Sequence, residues 1–197
     1  MTRYDGADAY VYPGTEVLRN RADIRDAAAL DAFEADATAV RMLELIERPI
    51  EGRFDLVHLC AIHRHLFQDV YDWAGELRTV DISKAGSRFA NCGQIESYLG
   101  GQLRQLAAEN FLRGSAPEAF VGRMAHYMGE INATHPFREG NGRVQRSFCA
   151  QLADQAGYFL DFESVDQATM YRVMIASFHG DEQPLSELLN QITAILE

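Results

Sequence analysis

The stretch His135-Pro136-Phe137-Arg138-Glu139-Gly140-Asn141-Gly142-Arg143-Val144-Gln145-Arg146 forces one helix to end and another to begin. Pro136 disfavours the α region at His135, so the preceding helix stops near Thr134. Gly140 and Gly142 let the backbone turn sharply and leave its N–H groups uncovered. Val144, Phe148, Leu152 and Ala156 then recur at four-residue steps, the pattern of a new helix. Arg143 and Arg146 fall in its first turn, where cations are disfavoured because a helix N-terminus already carries partial positive charge. Two arginines, a positive dipole end and open loop amides converge on one place. A polyanion such as a phosphate chain resolves the conflict.

Length and composition bound the rest. At 197 residues the chain is one domain large enough for a real core, and its 47% hydrophobic and 24% charged content is that of a soluble globular protein. A formal net charge of −11 argues against a broad nucleic-acid-binding surface, so the motif arginines form a local positive site on an acidic molecule. No apolar run approaches membrane-spanning length and no signal pattern opens the chain, so neither a membrane nor direct nucleic acid is expected as a partner. Cys60, Cys92 and Cys149 are widely spaced, which fits reduced thiols in a cytoplasmic protein.

Residues 1–22 carry Tyr4, Tyr10 and Tyr12 without a period and read as an irregular arm laid over the body. From Asp23, Leu30, Phe33, Ala37, Val40 and Leu43 predict a helix that ends before Pro49. Asp55 caps the next, with Leu59, Ile62, Leu66 and Val70 as its buried stripe. Over residues 76–90 the period changes: Leu77, Val80 and Ile82 lead into Lys84-Ala85-Gly86-Ser87, then Arg88 and Phe89, a β-hairpin and the one convincing β element. Such a hairpin either adds a strand from a bound peptide or serves as a connector. A helix with Ile95, Leu99, Leu103 and Leu106 follows, interrupted by Gly100-Gly101. Ser115 with Glu118 forms a capping box before Phe120, Met124, Met128 and Ile131, and this helix delivers His135. After the motif helix come an apolar turn (Tyr158 to Phe162), a capping box of Ser164 with Gln167, and a last helix from Pro184 with Ile192 and Leu196 inside. The body is all-α, a helical bundle with one hairpin.

The motif residues suit a definite chemistry. His135 titrates near neutrality and can take a proton from an attacking hydroxyl. Glu139 is an oxygen ligand of the kind Mg²⁺ takes alongside substrate phosphates. The Gly140, Asn141 and Gly142 amides and the Asn141 side chain can neutralise phosphate oxygens, which Arg143 and Arg146 can clamp. Phe137 belongs to the core, and Arg138 is expected in solvent. His58, His63 and His65 lack the four-residue pair of a helical metal site and read as ordinary histidines.

The run His-x-Phe-x-Glu-Gly-Asn-Gly-Arg-x-x-Arg matches every fixed position of the signature of Fic-domain proteins, and the element order, including Tyr71-Asp72-Trp73-Ala74-Gly75 before the hairpin, resembles that family over roughly residues 10–180. The resemblance implies a single domain of Fic fold with the hairpin as a flap over the active site, and a protein adenylyltransferase that moves AMP from ATP to a hydroxyl side chain. It implies His135 as general base and Glu139 as the Mg²⁺ ligand. Gly140, Asn141 and Gly142 would form the anion hole, and Arg143 and Arg146 would contact the outer phosphates. Residues 82–87, with Lys84, Ala85, Gly86 and Ser87 toward the nucleotide, would align the target as an added strand. Doc-type kinases carry lysine at the position of Gly142, so glycine here favours AMP transfer. Transfer of another phosphate-containing group and a non-catalytic nucleotide-binding module remain the alternatives.

Tyr10-Val11-Tyr12-Pro13-Gly14 and Leu18-Arg19-Asn20 resemble the bacterial toxin subgroup, which implies a small separate antitoxin and, as target, a tyrosine of a DNA gyrase or topoisomerase IV subunit. Family members that block themselves carry Ser/Thr-x-x-x-Glu-Gly/Asn. Thr193 to Glu197 has that spacing without the Gly or Asn and reads as the polar face of the final helix. The inhibitory glutamate would then come from the antitoxin and approach Arg146.

Overall fold

In the computed structural model, which describes residues 8–84 and 87–196, most of the chain is helical. Helix α1 (Ala27–Glu47) starts where the Asp26 carboxylate accepts from the Ala29 N–H at 2.9 Å, and it stops short of Pro49. Its buried face is rotated from the expected stripe: Leu30, Thr38 and Leu45 face inward while Val40 and Leu43 are 58% and 65% exposed. Apolar residues occur on more than one side of this helix, and the contact with its neighbour selects between them. That neighbour is α2 (Leu56–Phe67), capped by Asp55 as expected, with Leu59, Ile62 and Leu66 fully buried.

The hairpin forms from β1 (Ser83–Lys84) and β2 (Ser87–Arg88), antiparallel, with Ser83 opposite Arg88. Helix α3 (Ile95–Ala108) runs through Gly100-Gly101 without a break and buries Ile95, Leu99, Leu103 and Leu106. Helix α4 (Pro117–Thr134) is the axis of the molecule, packed on α3 and on three later helices. Burying side chains such as Phe120, Met124 and Met128 stabilises it by about 1.5–3 kcal/mol each. Ser115 does not cap it. Pro117 sits at the first helical positions, where its fixed φ is already right, and the Ser115 carbonyl accepts from the Tyr158 hydroxyl at 2.6 Å instead.

Helix α5 (Asn141–Ala156) buries Val144, Phe148 and Leu152 and closes at Gly157. Helix α6 (Gln167–Phe178) is capped by Asp166, whose carboxylate accepts from the Thr169 N–H at 2.8 Å, rather than by Ser164. Helix α7 (Gln183–Ile192) ends earlier than its apolar spacing suggested. Tyr158–Leu160 form β3 and Thr193–Ile195 form β4, an antiparallel pair that corrects both the expected apolar turn and the continued final helix. The chain past Ile192 satisfies its backbone against β3 instead, and the Leu196 N–H donates to the Gly157 carbonyl at 3.0 Å. Glu197 lies outside the described residues.

Within residues 8–22 of the arm, side chains reach the body. The Tyr10 ring meets Trp73 edge-on at 5.3 Å, and its hydroxyl accepts from the Thr79 N–H at 3.1 Å. Tyr4 is outside the described residues.

Candidate active site

Helix α4 stops at Thr134, but His135 takes the left-handed region (φ 47°, ψ 63°) rather than an extended conformation. For a residue with a Cβ that costs about 1–3 kcal/mol and must be held by its surroundings. Two neighbours hold it. Arg78, fully buried, donates from Nε to the His135 carbonyl at 2.8 Å and from Nη2 to the Thr134 carbonyl at 3.1 Å. The Phe89 ring stacks on the imidazole, centroids 3.9 Å apart and planes within 13°. The Nδ1 of His135 is 3.3 Å from the Asn132 carbonyl, which can only accept, so Nδ1 carries the proton and Nε2 the lone pair. That is the tautomer of a general base.

The loop after His135 is braced from beneath. Phe137 is fully buried and stacks on the His63 ring at 4.0 Å. The Phe137 N–H donates to Asn141 Oδ1 at 2.9 Å, and Asn141 Nδ2 donates back to the Phe137 carbonyl at 2.8 Å. Both polar atoms of the Asn141 side chain are thus engaged with the loop backbone, and Nδ2 keeps a second N–H on a residue that lines the cavity described below. Gly140 has φ 81°, and a Cβ there would fall 2.2 Å from the Phe67 ring. Only glycine fits that close approach.

His63, expected as a surface or core histidine rather than a metal ligand, is a core one and part of this support. Its Nδ1 accepts from the Gly75 N–H at 2.7 Å, so Nε2 bears the proton and donates to the Glu139 carbonyl at 3.1 Å. Burial pushes its pKa down to about 4. Arg138 is a second correction. It is buried, and its Nη2 lies 2.8 Å from the Asp8 carboxylate in the arm, both side chains only 6% and 4% exposed. No periodicity marks His63, Arg78 or Asp8. Their parts depend on which elements meet.

A cavity of about 490 Å³ opens between α4, α5 and α6, within the size range of small-molecule sites. His135, Glu139, Gly142 and Arg146 line it together with the apolar Met128, Met170, Met174 and Ile175. Burial and the neighbouring Arg143 lower the Arg146 pKa, and among the described residues nothing accepts from its guanidinium. A desolvated cation with no internal partner, at a helix N-terminus, is a site for an anion. Arg143 is elsewhere. It is paired with Glu34 of α1, donates to Thr38 Oγ1 at 2.9 Å and lies over the Phe67 ring, so the structure brings Arg146 but not Arg143 to the cavity. The pairing selects the inward face of α1.

The Glu139 side chain is exposed, with Oε1 accepting from the Gly140 N–H at 2.9 Å. Among the described residues no three His, Cys, Asp or Glu side chains gather as a metal cage. One carboxylate at a phosphate site still fits Mg²⁺, which completes its shell with water and substrate oxygens. In the hairpin, Lys84 and Ser87 are placed as backbone in β1 and β2, while Ala85 and Gly86 lie outside the described residues. No helix among the described residues is long and apolar enough to cross a membrane.

Residues 53–153 match the model of the Fic/DOC family. Protein adenylyltransferase VbhT of Bartonella schoenbuchensis is 45% identical over 97% of this chain, which spans 40% of the length of VbhT. A Salmonella typhimurium protein named "Probable protein adenylyltransferase Fic" is 41% identical over 95% of this chain and 92% of its own length. Among solved structures, the BepC protein of Bartonella tribocorum, a VirB-translocated effector with bound AMPPNP, has a TM-score of 0.90 at 28% identity, covering 95% of this chain and 97% of that one. The helical body with its small hairpin is the architecture those structures share.

Proposed function

Because the chain belongs to the Fic/DOC family, we propose that it is a protein adenylyltransferase, transferring AMP from ATP to a hydroxyl side chain of a target protein. One observation carries this reading: a left-handed His135 in the base tautomer and Arg146, whose guanidinium has no acceptor among the described residues, line the same nucleotide-sized cavity. Its apolar lining residues suit a flat purine and its polar ones the phosphates. The target hydroxyl oxygen attacks the α-phosphorus, its proton passes to His135 Nε2, and the bond to pyrophosphate breaks as pyrophosphate leaves. General-base help of this kind is worth about 10²–10⁴ in rate. The Gly140, Asn141 and Gly142 amides and Arg146 would hold the negative oxygens in place. Glu139 would hold Mg²⁺, which would supply charge neutralisation at the phosphates when bound. Gly142 stands where Doc-type kinases carry lysine, and that resemblance supports AMP rather than phosphoryl transfer.

The finer reading is a cytoplasmic toxin whose antitoxin supplies a glutamate to Arg146. Its support is the absence of an internal acceptor for that guanidinium among the described residues, beside the sequence resemblance of the arm. The flap residues, Lys84 to Ser87 included, would align a tyrosine of the target, in this subgroup a DNA gyrase or topoisomerase IV subunit. Incubation with bacterial extract and ATP labelled on the α- or the γ-phosphate tests the activity. Label on protein from the α position alone is expected. Label from γ alone would make it a kinase, and label from neither would leave a nucleotide-binding module.

A further inference from the structure

The approach to the hairpin and the end of α4 share a single buried cation, whose position nothing in the motif requires. Arg78 is wholly buried, and every face of its guanidinium meets a backbone carbonyl. Nε donates to His135 (2.8 Å), Nη1 to Val80 (2.7 Å), and Nη2 to both Ala90 (2.5 Å) and Thr134 (3.1 Å). Its own N–H donates to the Pro136 carbonyl at 2.9 Å. Val80 and Ala90 are the two legs of the hairpin, whereas Thr134, His135 and Pro136 are the end of α4 and the start of the loop. A helix C-terminus presents carbonyls without intrahelical partners and favours a cation. Arg78 uses that need to tie both hairpin legs to the residue that bears the base. Two contacts beside it run the same way: the Ala90 N–H donates to the Ala133 carbonyl at 3.2 Å, and Phe89 stacks on His135.

We propose that Arg78 is a positioning residue that fixes the hairpin and His135 as one rigid unit, so that a target hydroxyl presented by the hairpin arrives at Nε2. The inference rests on the transfer reading above. It concerns presentation of the acceptor, not the nucleotide: Arg78 does not line the cavity, and Arg146 holds its place on α5 without it. A planar, five-donor guanidinium can span carbonyls from four residues, which an ammonium cannot.

The test uses Arg78→Lys, which keeps the charge but not the fork, and Arg78→Gln, which keeps a donor amide without burying a charge. AMPPNP affinity should stay within about twofold of the parent, and the apparent KM for ATP should not move, because the cavity is untouched. The maximal rate of α-label transfer at a fixed amount of extract should fall about tenfold or more. Hydrogen exchange should quicken at Ala90 and at the end of α4 while α2 stays protected. An unchanged rate overturns the proposal. So does a rate that falls in step with AMPPNP affinity, exchange that quickens throughout, or loss of cooperative melting in both variants, each of which makes Arg78 a residue of general stability. If the parent chain transfers no label, the activity reading fails, and the exchange experiment still reads the coupling of hairpin to α4.

Discussion

The imidazole of His63 donates to the carbonyl of Glu139 across 76 positions of sequence while its Nδ1 accepts from the Gly75 N–H, and it can do both only while neutral. Protonation of Nδ1 would turn its acceptor toward the Gly75 N–H into a second donor. Because burial holds the folded pKa near 4 against an ordinary 6.5, the unfolded chain takes up the proton first as pH falls. Stability is therefore full above about pH 6.5 and is lost progressively toward pH 4. His63→Phe keeps the stack on Phe137 but strands the Gly75 N–H and the Glu139 carbonyl, at about 1–3 kcal/mol for each buried group. Urea melts between pH 7.5 and pH 4.5 should show the variant weaker at neutral pH and less sensitive to acid. A variant with the parent's pH slope would remove His63 as its source.

Asp8 holds Arg138 from the arm in a pair that water barely reaches. Asp8→Ala removes a buried carboxylate that accepts twice from this guanidinium and should destabilise by about 1.5–3 kcal/mol, read by denaturant midpoint. A change of about 0.5 kcal/mol or less, as at ordinary surface sites, would mean that the arm is not a clamp on the loop.

Gly140→Ala combines a left-handed backbone, about 1–2 kcal/mol, with a methyl driven into the Phe67 ring, about 1–3 kcal/mol. The expected loss is about 2–5 kcal/mol in stability, together with weaker AMPPNP binding from the displaced loop. Thermal melting and titration of AMPPNP check both, and parent-like values in each would show that the loop adapts.

The two motif arginines should separate. Arg146→Ala should weaken AMPPNP binding by about 10- to 100-fold with little change in melting, since a charged hydrogen bond is worth about 1.5–3 kcal/mol. Arg143→Ala should instead lower the melting temperature, because it leaves Glu34 of α1 with the Tyr71 hydroxyl but without its paired guanidinium. Calorimetric titration beside thermal melts distinguishes them, and the opposite pattern would mean that Arg143 leaves Glu34 when nucleotide binds.

His135→Ala should bind AMPPNP at near-parent affinity and transfer no α-label to protein. Transfer that survived would remove His135 as the base.

Much of the site was legible before folding because it is local. The break at Pro136, the turn at Gly140 and the helix carrying Arg146 are written in consecutive residues whose backbone preferences need no distant partner. The core faces of α2, α3, α4 and α5 follow from spacing for the same reason. Arg143 and Arg146, three positions apart, looked equivalent. Their difference depends on Glu34, more than a hundred residues away, reaching one and not the other. Arg138 looked like a surface residue until the arm brought Asp8 to it. The strand β4 replaced the end of a plausible helix because β3 offered its backbone a partner.

The sequence by itself determined a glycine turn between two helices, with His135 before it and Arg146 after it, because short-range sterics act on neighbours in the chain. Tertiary structure alone decided which arginine faces the cavity, how His135 is held in a left-handed conformation and what joins it to the hairpin. Those are matters of desolvated charges and buried carbonyls finding partners, and the partners exist only once distant segments have packed.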